Sequence, residues 1–134
     1  YFVTFNTLGR KRMLASDGIH ETFTAFCRIA LSRGVAVGRY VIMPDHIHLF
    51  VSMQAESMTL PAWIKSLRSV LGKRLLADGV GKPHWQEGFF DHVLRNQESY
   101  AQKWEYVRMN PVRAGLCSEW ESWPYQGEIE SLSL

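Results

Sequence analysis

The sequence predicts an α+β domain of the ferredoxin-like (RRM-like) class, with an antiparallel sheet, helices on one face and an additional C-terminal helix. The predicted elements follow the order β-α-β-β-α-β-α, and the first six match a split βαβ unit. The length of 134 residues and the apolar fraction of 46% suit one domain with its own core, which we place at residues 1–134. No apolar run is long enough for a membrane-spanning helix, so we expect no membrane partner.

The first half of the chain predicts one helix between strands. Aromatic and β-branched residues favour strands at residues 1–8, 35–43 and 46–53. Residues 20–33 place apolar side chains at helical spacing, and Gly34 is a plausible end of that helix. Pro44 and Asp45 form a turn signal between the second and third strands, so we expect a hairpin there.

The second half predicts two more helices and a short strand. Leucines recur at steps of four and three along residues 59–77, which indicates an amphipathic helix. Residues 84–94 form an aromatic extended segment with some strand character. Asn96 is suited to cap a third helix, and we expect that helix to end near Asn110 because Pro111 disfavours helical geometry at the residue before it.

The net charge of +2 hides an uneven distribution of charge. Residues 1–118 contain all 15 basic side chains and nine of the 13 acidic ones, whereas residues 119–134 form an acidic C-terminal extension with the other four. A basic body suits a polyanionic partner. The two cysteines indicate neither a disulfide framework nor a zinc site, and the N-terminus does not resemble a signal peptide, so we expect a cytoplasmic, nucleoid-associated protein.

The His46-Ile47-His48 sequence lies in the third predicted strand. Alternate side chains of a strand share a face, so both histidines should point away from the core, onto an otherwise exposed face of the sheet. Two adjacent imidazoles can begin a metal site. The pair alone fits two surface histidines equally well.

The third helix carries a polar stripe beside its apolar one. A helical wheel places Lys103, Tyr106 and Asn110 on that stripe, with Tyr106 and Asn110 one turn apart. An asparagine carbonyl oxygen can bind a hard cation, and a phenol can attack phosphorus. The alternative is a tyrosine at the edge of the core and an asparagine that ends the helix before Pro111.

Two motifs together resemble those of a known family. MPDHIHLFV (residues 43–51) resembles the HUH strand of single-tyrosine HUH transposases, and YVRMNPVRAGL (residues 106–116) resembles their catalytic helix in the form found in REP-associated tyrosine transposases. The opening YFVTFNT and the late WPY also agree, so the resemblance covers nearly the whole chain.

The resemblance implies a role for four residues. His46 and His48 would bind a divalent metal ion, Mg²⁺ or Mn²⁺, with Asn110 as the third ligand. Tyr106 would attack single-stranded DNA, and the third helix would be the catalytic one. The product would be a 5′-phosphotyrosine and a free 3′-OH, with no nucleotide cofactor. The expected partner is a DNA hairpin with its single-stranded flank, bound by a monomer or a homodimer.

The remaining polar residues receive weaker assignments. His20 is predicted to be a surface residue at a helix start, and His84 and His92 are predicted to be structural. The basic residues of helix 59–77 do not fall on one helical face, so no basic stripe is predicted there. The candidates for phosphate contact are Arg10, Lys11, Arg12, Lys65, Arg68, Lys73, Arg74, Arg95, Lys103, Arg108 and Arg113.

Three other functions remain open at this point. A transposase that has lost catalysis could act as a DNA-binding protein. Replication initiators and relaxases share the HUH motif, although they usually need longer chains. A ferredoxin-like RNA-binding module would stack bases on its sheet and need no metal.

Overall fold

The secondary structure comes from a computed structural model that describes residues 1–54, 56 and 58–133. Short 3-10 turns occur at Leu8–Arg10, Leu31–Arg33 and Trp120–Ser122. No helix in these ranges is both long and apolar enough to cross a bilayer. The elements are β1 (Phe2–Asn6), α1 (Asp17–Ala30), β2 (Val35–Ile42), β3 (His46–Met53), α2 (Leu60–Ala77), β4 (Phe90–His92), α3 (Gln97–Val107), α4 (Asn110–Arg113) and β5 (Gln126–Glu128).

The sheet has five strands in the order β4-β1-β3-β2-β5, and each neighbouring pair is antiparallel. This arrangement confirms the predicted α+β class with an antiparallel sheet. The strand β5 was not predicted, because Gln126–Glu128 contains no residue with strong strand propensity. It lies within the acidic C-terminal extension and pairs along the edge of β2.

Helices α1 and α2 pack on one face of the sheet and form the larger core with the buried residues of β1, β2 and β3. Ile47, Leu49 and Val51 point into this core, as the alternation along β3 predicted. Helix α1 begins at Asp17, earlier than predicted, because the Ser16 hydroxyl accepts a hydrogen bond from the backbone N–H of Ile19 at 3.2 Å.

Helix α3 covers the other face, so the expectation of an exposed sheet face is wrong. Phe50 is 1% exposed and its ring centroid lies 4.6 Å from that of Tyr100. Phe2 and Trp104 belong to the same second core, which α3 and the C-terminal segment complete. The cause is that several residues on this face are large and apolar, as is one side of α3, and each buries the other.

A close contact fixes α3 against β2. The Tyr100 hydroxyl oxygen accepts a hydrogen bond from the backbone N–H of Arg39 at 3.1 Å. A Cβ atom at Gly38 would lie 2.5 Å from that oxygen, so only glycine fits there. The register of β2 against β3 shifts between Val37 and Tyr40, which places this bulge directly under the helix.

The end of α3 differs from the prediction. Asn96 caps the helix as predicted, since its Oδ1 accepts from the N–H of Ser99 at 2.8 Å. The helix ends at Val107 and not near Asn110, and Asn110 opens the short α4 with Pro111 in its first turn. Proline is well tolerated there because its missing N–H would have no partner within the helix.

Candidate active site

The two histidines of β3 face each other. His46 Nε2 and His48 Nε2 lie 3.1 Å apart, and their rings are nearly perpendicular at 83°. The other nitrogen of each ring has its own partner: His46 Nδ1 lies 2.7 Å from Asp45 Oδ1, and His48 Nδ1 lies 2.7 Å from Thr4 Oγ1. Thr4 stands opposite His48 in the register of β1 and β3.

These partners determine which nitrogen of each ring is free. A carboxylate only accepts hydrogen bonds, so His46 carries its hydrogen on Nδ1 and its lone pair on Nε2. Arg10 Nη2 also lies 3.3 Å from that Nδ1, but a guanidinium cannot accept a hydrogen bond, so Asp45 is the partner of Nδ1–H. The Thr4 hydroxyl can accept from His48 in the same way. With the hydrogen of each ring on Nδ1, the two Nε2 lone pairs converge on one point, which suits a cation.

The separation of the two nitrogens fits a metal ion. Ligand atoms at about 2.1 Å from an octahedral ion lie about 3.0 Å apart when they are adjacent. Asp45 and Thr4 supply the outer hydrogen bonds that usually orient metal-binding histidines. Across residues 1–54, 56 and 58–133, no group of three or more His, Cys, Asp and Glu side chains could hold a metal, so a third protein ligand would have to be of another type.

Burial keeps both imidazoles neutral. Desolvation lowers the pKa of His48 to about 3; the positive charge of Lys103, and that of His46 when it is protonated, act in the same direction. Desolvation also lowers the pKa of His46, although the Asp45 carboxylate opposes the shift. Neutral imidazole is the form that binds metal, so the pair is in its ligand form at neutral pH.

A cleft of about 310 Å³ lies beside His46. Asn110, the predicted third ligand, borders it together with three of the predicted phosphate-contact residues. We call this surface the catalytic cleft, after the role that the sequence resemblance implies for His46 and Asn110. Its polar lining consists of Arg10, Arg12, Asp45, His46, Asn110 and Arg113.

Tyr106 lies in the last turn of α3 with its side chain 63% exposed, and it does not line the catalytic cleft. Arg113 lines the cleft and also contacts Tyr106. Its guanidinium lies 4.0 Å from the centre of the Tyr106 ring, and its Nη2 donates to the Tyr106 carbonyl at 2.7 Å. The prediction that Tyr106 and Asn110 share one continuous helical stripe is wrong, since α3 ends between them.

The other predicted phosphate contacts do not form one surface. Lys103 Nζ lies 4.8 Å from the centre of the Phe2 ring, close enough to His48 to affect its pKa. Lys11 is exposed. Arg108 stacks on Trp120 at 4.5 Å in a separate pocket. Lys65 and Arg68 line a different groove, on the side of the sheet that carries α2.

The structure also places the three remaining histidines, for which the sequence predicted no part in the site. His20 lies inside α1, half-buried, with its Nε2 2.6 Å from the Tyr40 hydroxyl, so the prediction of a surface residue is wrong. It was misplaced because the helix begins earlier than predicted. His84 is 4% exposed and Nε2 lies 2.9 Å from the Val80 carbonyl oxygen, which confirms a structural role. His92 is exposed on β4.

The protein thus combines a five-stranded antiparallel sheet, a histidine pair on its central strand and an exposed tyrosine in the last turn of α3. The chain belongs to the family described as "Transposase IS200 like", whose model matches residues 1–110. Membership makes DNA the expected substrate class.

The chain is similar to one curated protein in sequence and to one solved structure in fold. The REP-associated tyrosine transposase of Escherichia coli (strain K12) is 24% identical over 126 residues, which span 93% of this chain and 73% of that protein. The solved structure of a REP-associated tyrosine transposase bound to a REP hairpin shares the fold, with a TM-score of 0.76 and 20% identity, over 98% of this chain and 87% of that one.

Proposed function

We propose that this protein is a transposase that cleaves and rejoins hairpin-containing single-stranded DNA through a 5′-phosphotyrosine on Tyr106, assisted by Mg²⁺ or Mn²⁺ and without a nucleotide cofactor. The observation that carries the proposal is the pair of Nε2 atoms of His46 and His48, 3.1 Å apart and each backed by a partner on Nδ1. This separation matches that of two adjacent ligand atoms on one metal ion.

His46, His48 and Asn110 would hold the ion. When bound, the ion would supply positive charge against the scissile phosphate. All three ligands are neutral, so they would leave the charge of the ion undiminished for the phosphate. Two imidazoles favour Mn²⁺ over Mg²⁺, which prefers oxygen ligands.

Tyr106 is the proposed catalytic residue. Its phenolic oxygen would form a bond to phosphorus while the bond from phosphorus to the 3′-oxygen breaks. The phenol loses one proton and the departing 3′-oxygen gains one. Because one phosphoester bond replaces another, the bond energy is retained in the phosphotyrosine and the step can be reversed for joining. Arg113 is suited to orient the ring and to contact the phosphate, because it touches the ring and also lines the catalytic cleft.

The DNA is proposed to approach along the catalytic cleft. Arg10, Arg12 and Arg113 give its lining more positive than negative charge, since Asp45 is the acidic residue there. The structural relative with this fold was solved with a REP hairpin. We therefore propose a hairpin next to the cleavage site as the recognised feature.

We further propose that each chain uses its own tyrosine. Helix α3 packs into the second core of its own sheet through Tyr100, Trp104 and Val107. With α3 in that core, Arg113 contacts the Tyr106 ring and also lines the catalytic cleft of the same chain. Mixing Tyr106→Phe with His46→Ala should therefore not restore cleavage, and restored cleavage would indicate a dimer with shared sites.

The direct test is a covalent adduct. The protein is incubated with labelled single-stranded DNA from the flanks of its own gene, with Mn²⁺ or Mg²⁺, and resolved on a denaturing gel. We expect an adduct with the unaltered protein, none with Tyr106→Phe, and none after chelation of the metal. Tyr1→Phe is the matched control, since Tyr1 is also exposed but lines a different pocket.

Two results would contradict the proposal. Tight hairpin binding without an adduct, at any flank and with either metal, would indicate a DNA-binding protein without catalysis. An adduct that persists in Tyr106→Phe would assign the nucleophile to another residue.

A further inference from the structure

A second concave surface of about 860 Å³ lies between α2 and the loop before β4. We call it the α2 groove and define it by its lining. Its cationic members are Lys65, Arg68, Lys73 and Lys82, and its apolar members include Ile64, Leu76, Trp85 and Phe89. None of these residues lines the catalytic cleft.

The charge of the α2 groove is strongly positive, with four cations against the single carboxylate of Glu87. The helical wheel did not predict this surface. Lys65, Arg68 and Lys73 do border it together, whereas Arg74 points elsewhere and binds Asp78 at 3.1 Å. The fourth cation, Lys82, comes from the loop, which no helical pattern can include.

The floor of the α2 groove is apolar and held in place. Trp85 Nε1 donates to the Arg68 carbonyl at 3.1 Å, and the indole packs edge-on against Phe5 with centroids 5.5 Å apart. Gly72 lies against the same loop, since a Cβ there would lie 3.3 Å from Nδ1 of His84 and 3.8 Å from Nε1 of Trp85. Trp85 is therefore a fixed aromatic surface and not a mobile side chain.

Arg68 has unused hydrogen-bonding capacity at this surface. Its guanidinium lies over the Phe5 ring at 5.2 Å and donates through Nη2 to the Gly88 carbonyl. Its Nε is buried and, in the part of the chain that the structure describes, has no hydrogen-bond partner. A buried N–H without an acceptor is unfavourable, so the guanidinium is not held by a full set of partners within the protein.

The α2 groove and the catalytic cleft lie on opposite faces of the sheet but meet at one end of β1. The N–H of Thr7 donates to the Asp45 carbonyl at 3.0 Å, on the side of the catalytic cleft. The next N–H, of Leu8, donates to the His84 carbonyl at 2.9 Å, on the side of the groove. The basic residues Arg10 and Arg12 follow within four residues and line the catalytic cleft.

We infer that the α2 groove binds a single-stranded segment of nucleic acid, the flank that continues from the strand in the catalytic cleft. The inference rests on the proposed function for the identity of that strand. An apolar aromatic floor with a cationic rim is the arrangement that holds unpaired bases and their phosphates. A duplex stem keeps its bases stacked inside and would use only the rim.

The test compares two charge-matched double variants. Lys65→Gln with Lys73→Gln removes two cations from the α2 groove, and Arg28→Gln with Arg33→Gln removes two exposed cations from the region of α1. Binding of a long single strand, which includes the cleavage site and its flank, is measured against salt concentration by fluorescence anisotropy. A short strand limited to the cleavage site and a duplex of the same length are measured in parallel.

The groove variant should reduce the slope of log K against log salt by about 1.4 for the long strand, since each lost phosphate contact on a single strand removes about 0.7. The corresponding loss of affinity is about tenfold at 0.15 M salt. Lys82→Gln alone should give about half of the change in slope, from a position outside α2. The control variant should match the unaltered protein.

An unchanged slope in the groove variant would overturn the inference, as would an equal loss of affinity for the duplex. Failure of the proposed function is a different result. A protein that never forms an adduct, yet binds the long strand through Lys65 and Lys73, would refute the tyrosine nuclease and leave the α2 groove as a nucleic-acid site.

Discussion

Replacing Asp45 by Asn tests whether the histidine pair is a metal site. Asp45 Oδ1 accepts from His46 Nδ1 at 2.7 Å, and its Oδ2 binds Arg10 Nε at 2.9 Å. These hydrogen bonds hold the pKa of Asp45 below its usual value although burial opposes ionisation. Asparagine keeps the shape of the side chain but removes the negative charge that makes the imidazole a stronger ligand.

The expected loss of metal affinity follows from the hydrogen bond between Asp45 and His46. Removing such a partner typically weakens metal binding by about 10- to 100-fold, which corresponds to about 1.4–2.8 kcal/mol. A bound metal stabilises the folded state in proportion to the logarithm of its concentration over Kd. At saturating metal, the substitution should therefore remove at least about 1.4 kcal/mol of metal-induced stabilisation. For a domain of this size that is roughly 3–7 °C in Tm.

The assay measures Tm with and without Mn²⁺ and compares only the increase that the metal causes. The increase excludes any effect of the substitution on the metal-free protein. Asp78→Asn is the matched control, because Asp78 also pairs with an arginine but lies at the end of α2. Thr4→Val removes the corresponding partner of His48 and should reduce the increase in the same way.

The reasoning is refuted if Asp45→Asn and Thr4→Val show the same Mn²⁺-induced increase as the unaltered protein. It is also refuted if Mn²⁺ causes no increase at all while His46→Ala leaves Tm unchanged, because the converging lone pairs would then have no cation to hold. A reduced increase in Asp78→Asn would show that the effect is a general loss of negative charge.

Three further outcomes are expected. Arg113→Lys should keep the charge but slow adduct formation about tenfold, because lysine lacks the planar guanidinium that stacks on Tyr106 and can donate two hydrogen bonds to a phosphate. An unchanged single-turnover rate would exclude a role of Arg113 in orienting the Tyr106 ring. Burial lowers the pKa of His20 below 6.5, so the folded state disfavours its protonation. The free energy of unfolding should therefore fall as the pH drops below about 6.5, by at most about 1.4 kcal/mol per pH unit. In urea titrations at pH 7, 6 and 5, His20→Gln should show a smaller decrease of the unfolding free energy with falling pH. Gly38→Ala should destabilise the fold by roughly 1–3 kcal/mol in the same titrations, because its Cβ would meet the Tyr100 hydroxyl, and an unaltered midpoint would contradict that contact.

The sequence was sufficient for the part of the site that depends on local pattern. Alternation along β3 correctly separated Ile47 and Leu49, which enter the larger core, from His46 and His48, which do not. The cap at Asn96 was also predictable, because its side chain bonds a backbone group only three residues away.

The parts that depend on packing between distant segments were not predictable. Strand β5 exists because Gln126–Glu128 is placed beside β2, and its own residues give no strand signal. The α2 groove joins Lys82 to helix residues that a wheel alone does not align. The break between Tyr106 and Asn110 follows the preference of Pro111 for a first helical turn, which competes with continuation of α3.

The covered face of the sheet, which the sequence did not predict, explains the chemistry of the histidine pair. His48 stacks on Phe2, with ring centroids 5.5 Å apart and planes at 19°, and Phe2 in turn belongs to the core that α3 completes. On a face open to water, this imidazole would have no comparable desolvation to lower its pKa. Burial by α3 keeps His48 neutral, while Thr4 and Asp45 direct the two Nε2 atoms to one point. The helix that carries the proposed nucleophile therefore also helps to bring the proposed metal ligands into their binding form.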